Sequence, residues 1–231
     1  MSRGKKYQES VKKYDKATPY QLSEAVSMVK SAAYASFDET VELACVLNVK
    51  PNQSVRDVLT FPHRFGKEVR VLVFAEGDSA ESAKSAGASY VGSEDLIEKI
   101  KGGWFDFDVA VSTPNLMRSV GKLGPILGRR GLMPNPKTKT VTNEVASAVE
   151  ELKQGRVEYR ADKRGVVHIG VGKVSMNESV LLENIHHFLN ILVGGKPSDH
   201  KGEFVKKVSI CSTMGAGVQI ESSSLFSGAA Q

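Results

Sequence analysis

At 231 residues, 41% of them apolar and 25% charged, the chain is long enough to bury one large core or two small ones without disulfide or metal staples. Its 31 Lys and Arg against 26 Asp and Glu leave a net charge of +5, an excess that permits a nucleic-acid partner without demanding one. No apolar run approaches a membrane span, the N-terminus is charged where a signal peptide is apolar, and Cys45 and Cys211 make neither a metal-ligand spacing nor a CxxC pair, so a cytosolic chain with no membrane partner is expected.

The first 16 residues carry Arg3, Lys5, Lys6, Lys12, Lys13 and Lys16 against Glu9 and Asp15; they read as a flexible basic arm or as an ordinary frayed terminus. Thr18-Pro19-Tyr20-Gln21 marks a helix start, with Thr18 as N-cap and Pro19 at the first helical position. Leu22, Ala25, Val26, Val29 and Ala33 follow at helical spacing. Val41, Leu43, Cys45, Leu47 and Val49 then alternate with Thr40, Glu42, Ala44 and Asn48, a long strand with one buried face. Both cysteines lie in such alternation and read as small core residues. Residues 51–66, punctuated by Pro51, Asn52, Pro62 and Gly66, read as a mostly irregular connection.

The pattern changes at 69–75, VRVLVFA, a nearly continuous apolar run that suits a strand of a parallel sheet buried on both faces. A helix over 79–86, a strand over 89–91, a helix capped by Ser93, a strand over 107–111, a helix opened by Asn115 and a helix capped by Asn143 follow in alternation. This is the pattern of a three-layer α/β domain. Beyond Arg156 the pattern returns to strands: 157–160 and 166–171 around the turn 161–165, read as a hairpin; a helix capped by Ser175; and strands at 204–211 and 218–220 around Met214-Gly215-Ala216-Gly217. The two ends of the chain each supply too little for a core. The expected fold is therefore an α+β discontinuous domain, 1–67 with 157–231, an antiparallel sheet with helices on one face, into which a Rossmann-like α/β domain, 68–156, is inserted. The two chain crossings would form a hinge.

The chemistry of a nucleotide-dependent enzyme, the alternative that an α/β domain invites, lacks its motifs. The turn after Ala75 is Glu-Gly-Asp-Ser, no GxxxxGK[ST] or GxSxG occurs, and none of His63, His168, His186, His187 and His200 has zinc spacing. No cofactor and no catalytic residue are expected. RNA binding instead needs cations for phosphates, planar or apolar groups for nucleotides, and exposed backbone. Ser36-Phe37-Asp38-Glu39-Thr40 is one candidate patch, although the parity of Phe37 with Val41 and Leu43 favours a core residue at the strand end. Ser212-Thr213-Met214-Gly215 is a second, or an ordinary turn; Lys163 and Arg164 are phosphate candidates at a turn tip, or simply solvated. The stretch 121–142 holds Gly121, Gly124, Gly128, Gly131, Pro125, Pro134 and Pro136 with Lys122, Arg129, Arg130, Lys137 and Lys139, and no acid lies between 109 and 143. It reads in part as a basic loop.

Within that stretch Gly128-Arg129-Arg130-Gly131-Leu132-Met133-Pro134-Asn135-Pro136-Lys137 resembles the signature of one family, the first-numbered large-subunit ribosomal protein, which builds the mobile stalk on the tRNA-exit side. Phe37-Asp38-Glu39-Thr40-Val41-Glu42, Gly102-Gly103-Trp104-Phe105-Asp106-Phe107-Asp108 and Ser212-Thr213-Met214-Gly215-Ala216-Gly217 carry the same resemblance, which covers almost the whole chain. It implies a non-enzymatic ribosomal protein of two domains, monomeric off the ribosome, that binds large-subunit rRNA, helps release deacylated tRNA from the exit site and represses its own operon mRNA. It also implies an RNA face at Phe37, Thr40, Glu42, Lys163, His168, Thr213, Met214 and Gly215, reversing the parity reading of Phe37. Arg164 and Ser212 join that face as neighbours. Arg129, Arg130, Lys137 and Lys139 of the inserted domain are secondary candidates for tRNA or a further rRNA segment. A free repressor that binds only mRNA would share the same face. The sequence departs from the family pattern at Arg129, where proline is usual, at Arg64, where glycine is common, at Gln219, where some members carry a cation, and in a shortened region around 51–53.

Overall fold

The computed structural model describes residues 4–15, 18–50, 55–197 and 202–221. In chain order the elements are α1 (Lys5–Val11), α2 (Leu22–Ala32), β1 (Thr40–Leu47), β2 (Arg56–Thr60), β3 (Val71–Phe74), α3 (Asp78–Ser85), β4 (Tyr90–Gly92), α4 (Glu94–Lys101), β5 (Val109–Ser112), α5 (Met117–Val120), α6 (Gly124–Leu127), α7 (Val145–Lys153), β6 (Arg156–Arg160), β7 (Val166–Lys173), α8 (Glu178–Gly194), β8 (Val205–Ser212) and β9 (Val218–Ile220). Helices and sheets are mixed, and the chain divides into two compact units, one of residues 66–157 and one of the chain on either side.

The flanking unit is built on a sheet of order β7-β1-β8-β9, antiparallel throughout. Alternation along β1 sends Val41, Leu43, Cys45 and Leu47 to one face, where each is buried. The apolar stripe of α2 (Leu22, Ala25, Val26, Val29) and that of α8 (Leu181, Ile185, Phe188, Leu189, Leu192) are buried as well, with α2 against β8, β9 and α8, and α8 against β7. Each such side chain withdrawn from water contributes about 1.5–3 kcal/mol before chain entropy is counted. Asn184, fully buried on α8, has its partners: its amide donates to the carbonyls of His63 (3.0 Å) and Val171 (2.9 Å), and its oxygen accepts from the His63 N–H. It ties the 61–65 connection to the sheet. The opposite face of the sheet carries Thr40, Glu42, Ala44 and Val46 of β1, none of them buried.

Gly172 shows how closely α8 approaches. It is buried, and a Cβ there would overlap Leu181 Cδ2 and come within 3.1 Å of Met176 Sδ. Gly172→Ala is expected to destabilise the protein by about 1–3 kcal/mol through overpacking, read as a lower urea midpoint at unchanged slope.

In the 66–157 unit three parallel strands lie in the order β4-β3-β5. All four residues of β3 are buried, as a central parallel strand requires. Leu72 and Phe74 face Leu96, Ile97 and Ile100 of α4 with Val120, Leu123 and Leu127. Val71 and Val73 face Ala83 of α3 and Val145, Ala148, Val149 and Leu152 of α7. Helical layers therefore cover both faces of the sheet. Arg156, at the end of this unit, has its side chain only 4% exposed and donates to Glu151 Oε2 (3.0 Å) and to the Thr138 carbonyl.

Several local expectations are corrected. The connection 51–66 contains a strand, β2, paired with β6; the Pro and Asn punctuation concealed it, and Pro51 and Asn52 themselves lie outside the described residues. β6 and β7 are not a hairpin: they join different sheets, and a single isolated bridge links Ala161, just after β6, to Val167. The tight turn between them is real. Asp162 Oδ1 accepts from the N–H groups of Arg164 and Val166, both 2.8 Å, and Gly165 has φ 78°. The first residues include a helix, α1, not only an arm. Thr18 does not cap α2, which starts at Leu22; its hydroxyl donates to Asp15 Oδ2 instead. Ser93 stands at the N-cap of α4 without a side-chain bond. Asn143 precedes the N-cap of α7, Glu144. Ser175 lies before the N-cap of α8, Asn177, and is bound to Asp38. Cys45 is a core residue as expected, its thiol pushed up to about 12 by burial. Cys211 is only half-buried, in register with Glu42.

The basic stretch is less of a loop than its glycines and prolines indicate. Helical turns run almost unbroken from Pro114 to Arg130, ending at Gly131 with φ 72°. Gly121, Gly124 and Gly128 all take helical dihedrals. Burial of Val120, Leu123 and Leu127 at helical spacing outweighs the roughly 1 kcal/mol that each glycine costs, and Pro125 sits in the first turn of α6, where a missing N–H is harmless.

Candidate nucleic-acid interface

The loop into β1 and the turn after β8 meet at one end of the antiparallel sheet. Val41 is paired with Ser212, and the pairing continues past the ladder: the Thr40 N–H donates to Thr213 Oγ1 (2.9 Å), and that hydroxyl donates to the Thr40 carbonyl (3.3 Å). Beneath them lies Glu39, 1% exposed. One of its oxygens accepts from the N–H groups of Tyr34 (3.1 Å) and Ala35 (2.8 Å), the other from the N–H of Met214 (3.0 Å). Burial pushes the Glu39 carboxyl up, and hydrogen bonds from Ser212, Ala35, Met214 and Tyr34 outweigh it and hold the group below its ordinary range. The Tyr34 hydroxyl adds a bond to the Met214 carbonyl at 2.8 Å. Asp38, the next residue back, is tied to the N–H (3.1 Å) and hydroxyl (2.7 Å) of Ser175.

These bonds decide the fate of Phe37. With Asp38 and Glu39 each anchored, the backbone leaves the strand's alternation before Phe37, which stands 55% exposed. Met214, on the turn that Glu39 holds, is 49% exposed. They are the exposed large hydrophobic residues among those described. The parity reading, which favoured a core Phe37, fails because alternation holds only within the strand, and β1 begins at Thr40. Gly215 closes the turn, its N–H donating to the Ser212 carbonyl (3.0 Å), and a Cβ there would overlap Ser212 Oγ. Ser212 itself is 2% exposed and lies under the surface as a support.

Thr40, Thr213, Met214, Gly215 and Phe37 are thus gathered on one patch. A cation that sequence reasoning missed stands beside them. Lys173 ends β7 opposite Thr40 and donates from Nζ to Thr40 Oγ1 at 2.7 Å. Only the antiparallel register reveals it; nothing local in the sequence marks Lys173. The positioning roles of Tyr34, Glu39 and Ser175 were equally invisible, although Glu39 lies within the Phe37 to Glu42 motif. Glu42 and His168 continue along the open face, Glu42 beside Gly170 and Cys211, and His168, exposed, beside Ala44. A patch of this kind offers apolar surface for nucleotide faces, hydroxyls and a carboxylate for base edges and 2′-OH groups, and a cation for phosphate.

Lys163 and Arg164 are not part of it. Gly165 accepts from the Leu47 N–H, at the far end of β1, roughly 23 Å from Thr40 at ~3.3 Å per strand residue. Both are exposed and extend the same unit's polar surface. Arg129, Arg130, Lys137 and Lys139 belong to the other unit. There the Arg130 guanidinium lies 3.8 Å above the Phe105 ring, and Arg129 and Arg130 line an open recess of about 510 Å³ with Lys101, Phe105 and Ile126. Lys137 is exposed on a turn capped by Asn135, and Lys139 has φ 51°, the positive φ of a non-glycine residue among those described. Among the described residues no three His, Cys, Asp or Glu are grouped to hold a metal ion, and no helix is long and apolar enough to cross a membrane.

Comparison with known proteins adds the deciding observation. A model of the Ribosomal protein L1p/L10e family matches residues 29–216. The chain belongs to this family. It is 55% identical over 221 residues to the large ribosomal subunit protein uL1 of Treponema denticola, covering 96% of this chain and 98% of that one. With uL1 of Treponema pallidum (strain Nichols) identity is 52% over 220 residues, with 95% and 97% coverage, and with uL1 of Leptospira biflexa (strain Patoc 1 / Ames) 51% over 221 residues, with 96% of each chain. Members of the ribosomal protein L1 family are structural ribosomal proteins and not enzymes, so the nucleotide-dependent enzyme falls. The place of such a protein in bacteria is the cytoplasmic ribosome.

Proposed function

We propose that the chain is the rRNA-binding protein of the large subunit's mobile stalk and that the patch at Phe37, Thr40, Thr213, Met214 and Gly215, with Lys173, is its primary RNA contact. The observation that carries this reading is the pair of exposed apolar side chains, Phe37 and Met214, held out by a buried carboxylate bonded to both segments. Exposed large hydrophobics on a fixed scaffold lose little entropy on binding and suit stacking on unpaired nucleotides. Glu42 and His168 extend the same face, and Lys163 and Arg164 serve phosphates at its far end. The same face reads an rRNA-like fold in the protein's own operon mRNA, giving repression, because recognition by shape and backbone does not distinguish the two RNAs. The unit of residues 66–157, with Arg129, Arg130, Lys137 and Lys139, touches the exit-site tRNA and assists its release. Off the ribosome the chain is a monomer.

Ribosome co-sedimentation in a strain carrying a tagged chain tests the reading. Wild-type protein is expected with the large subunit through a high-salt wash, and Phe37→Ala/Met214→Ala in the supernatant. A wild-type chain that stays off the ribosome while binding operon mRNA would favour the free repressor, and a double variant washed off no more readily than wild type would remove Phe37 and Met214 from the interface.

A further inference from the structure

The lysines of the N-terminal helix are a charged feature that the proposed interface leaves unused, and the structure fixes their position. Ser10 on α1 is buried and donates to the Ala32 carbonyl at the end of α2 (2.8 Å), and Lys13 donates to the Ser31 carbonyl (2.6 Å). Tyr14 is 9% exposed, and its hydroxyl donates to the Ala216 carbonyl at 2.9 Å. Ala216 belongs to the turn that carries Met214 and Gly215. Beyond Tyr14 the chain lies along the β9 edge of the same sheet: Tyr20 donates its N–H to the Gln219 carbonyl, and its own carbonyl accepts from the Glu221 N–H, both at 3.0 Å.

The chain from Ser10, in the last turn of α1, to Tyr14 is therefore tied both to the end of α2 and to the Met214 turn. Lys5, Lys6 and Lys12 are exposed on and beside α1, and no ion pair of theirs occurs among the described residues. Lys5, Lys6, Lys12 and Lys13 against Glu9 and Asp15 leave residues 4–15 an excess of two positive charges. A short helix with exposed cations and a buried tyrosine tether to the very turn that presents Met214 has the form of a fixed electrostatic flank.

We propose that residues 4–14 are part of the RNA interface: Lys5, Lys6 and Lys12 contact backbone phosphates of the same RNA whose nucleotides pack on Phe37 and Met214. This rests on the rRNA reading above. Phosphate contacts of this kind fix the orientation of an RNA without reading its sequence.

The test is the salt dependence of binding to a stalk rRNA fragment, measured on the full chain as wild type, Lys5→Gln/Lys6→Gln/Lys12→Gln, Tyr14→Phe and Phe37→Ala/Met214→Ala. Removing one lysine–phosphate pair lowers the slope of log K against log salt by about one. The triple variant is expected to lower it by about two to three, and Tyr14→Phe, which keeps every lysine and the ring, to lower it by less. A triple variant with wild-type slope and affinity, measured beside a double variant that binds weakly, overturns this inference and leaves the rRNA reading standing. A double variant that binds as wild type overturns both. Circular dichroism of each variant excludes unfolding as the cause.

Discussion

Changing Phe37 and Met214 together to alanine is expected to weaken binding of a stalk rRNA fragment by about 2 kcal/mol or more, roughly 30-fold, since each base stacked on an aromatic contributes ~1–3 kcal/mol. Both side chains are about half exposed in the unbound protein, so the urea midpoint of the variant should match wild type. No charge is removed, so the salt slope should not change while the affinity falls at every salt concentration. That pairing separates loss of nucleotide packing from loss of phosphate attraction. Equal affinities for the two proteins would mean that Phe37 and Met214 take no part in binding.

A larger effect on the scaffold is expected from Glu39→Ala. Its carboxylate satisfies the N–H groups of Tyr34, Ala35 and Met214 in a site 1% exposed. Removing it leaves those donors without partners at about 1–3 kcal/mol each when buried. A total near ~3 kcal/mol or more is expected, together with a loss of RNA affinity, because the turn bearing Met214 is released from the loop bearing Phe37. Glu39→Gln keeps the volume but turns an N–H₂ toward donors, and should recover only part of the loss. The pH dependence has a definite sign. The folded carboxyl lies below its ordinary value of 4.5, so its stabilisation is complete above that pH and disappears as the pH falls through the lower folded value. Hydrogen bonds hold Asp162 and Asp108 low as well, so wild type shares this acid sensitivity among several groups. Urea midpoints measured from about pH 7 down to about pH 3 should therefore converge for wild type and Glu39→Ala at the acid end. A constant gap would assign the loss to packing and not to the ionised carboxylate.

Legibility in the sequence followed the range of the interactions involved. Strand β1 was plain because its alternation is local, and β3 because a four-residue apolar run bounded by turns has few other uses. The first half of the helical run from Pro114 to Arg130 is legible from Asn115 through Leu123; its continuation to Arg130 is hidden, since Gly124, Pro125 and Gly128 speak locally for a loop and burial of Leu127 keeps it helical. Strand β2 was hidden for a related reason: its partner β6 lies far along the chain, and one of its residues, Leu59, is buried. At the candidate site, residue spacing put Phe37 in the core, and only resemblance moved it out. The physical reason, Asp38 to Ser175 and Glu39 to Met214, spans 137 and 175 residues and leaves no local trace. Lys173 was missed on the same ground, standing beside Thr40 through register alone. The neighbours of Ser212 in the sequence place it on the face, and alternation along β8 buries it instead.

If RNA meets the end of the antiparallel sheet at Met214, the methionine methyl groups report it. The chain has 6 methionines. Met214 is exposed on the proposed face, whereas Met117 and Met133 are partly buried against the core of the 66–157 unit. With methionine methyl groups labelled and a stalk rRNA fragment titrated in, the Met214 resonance is expected to shift or broaden in step with binding while those of Met117 and Met133 stay in place. Binding that moves Met117 and Met133 and leaves Met214 unchanged would put the RNA on the 66–157 unit and not on the end of the antiparallel sheet.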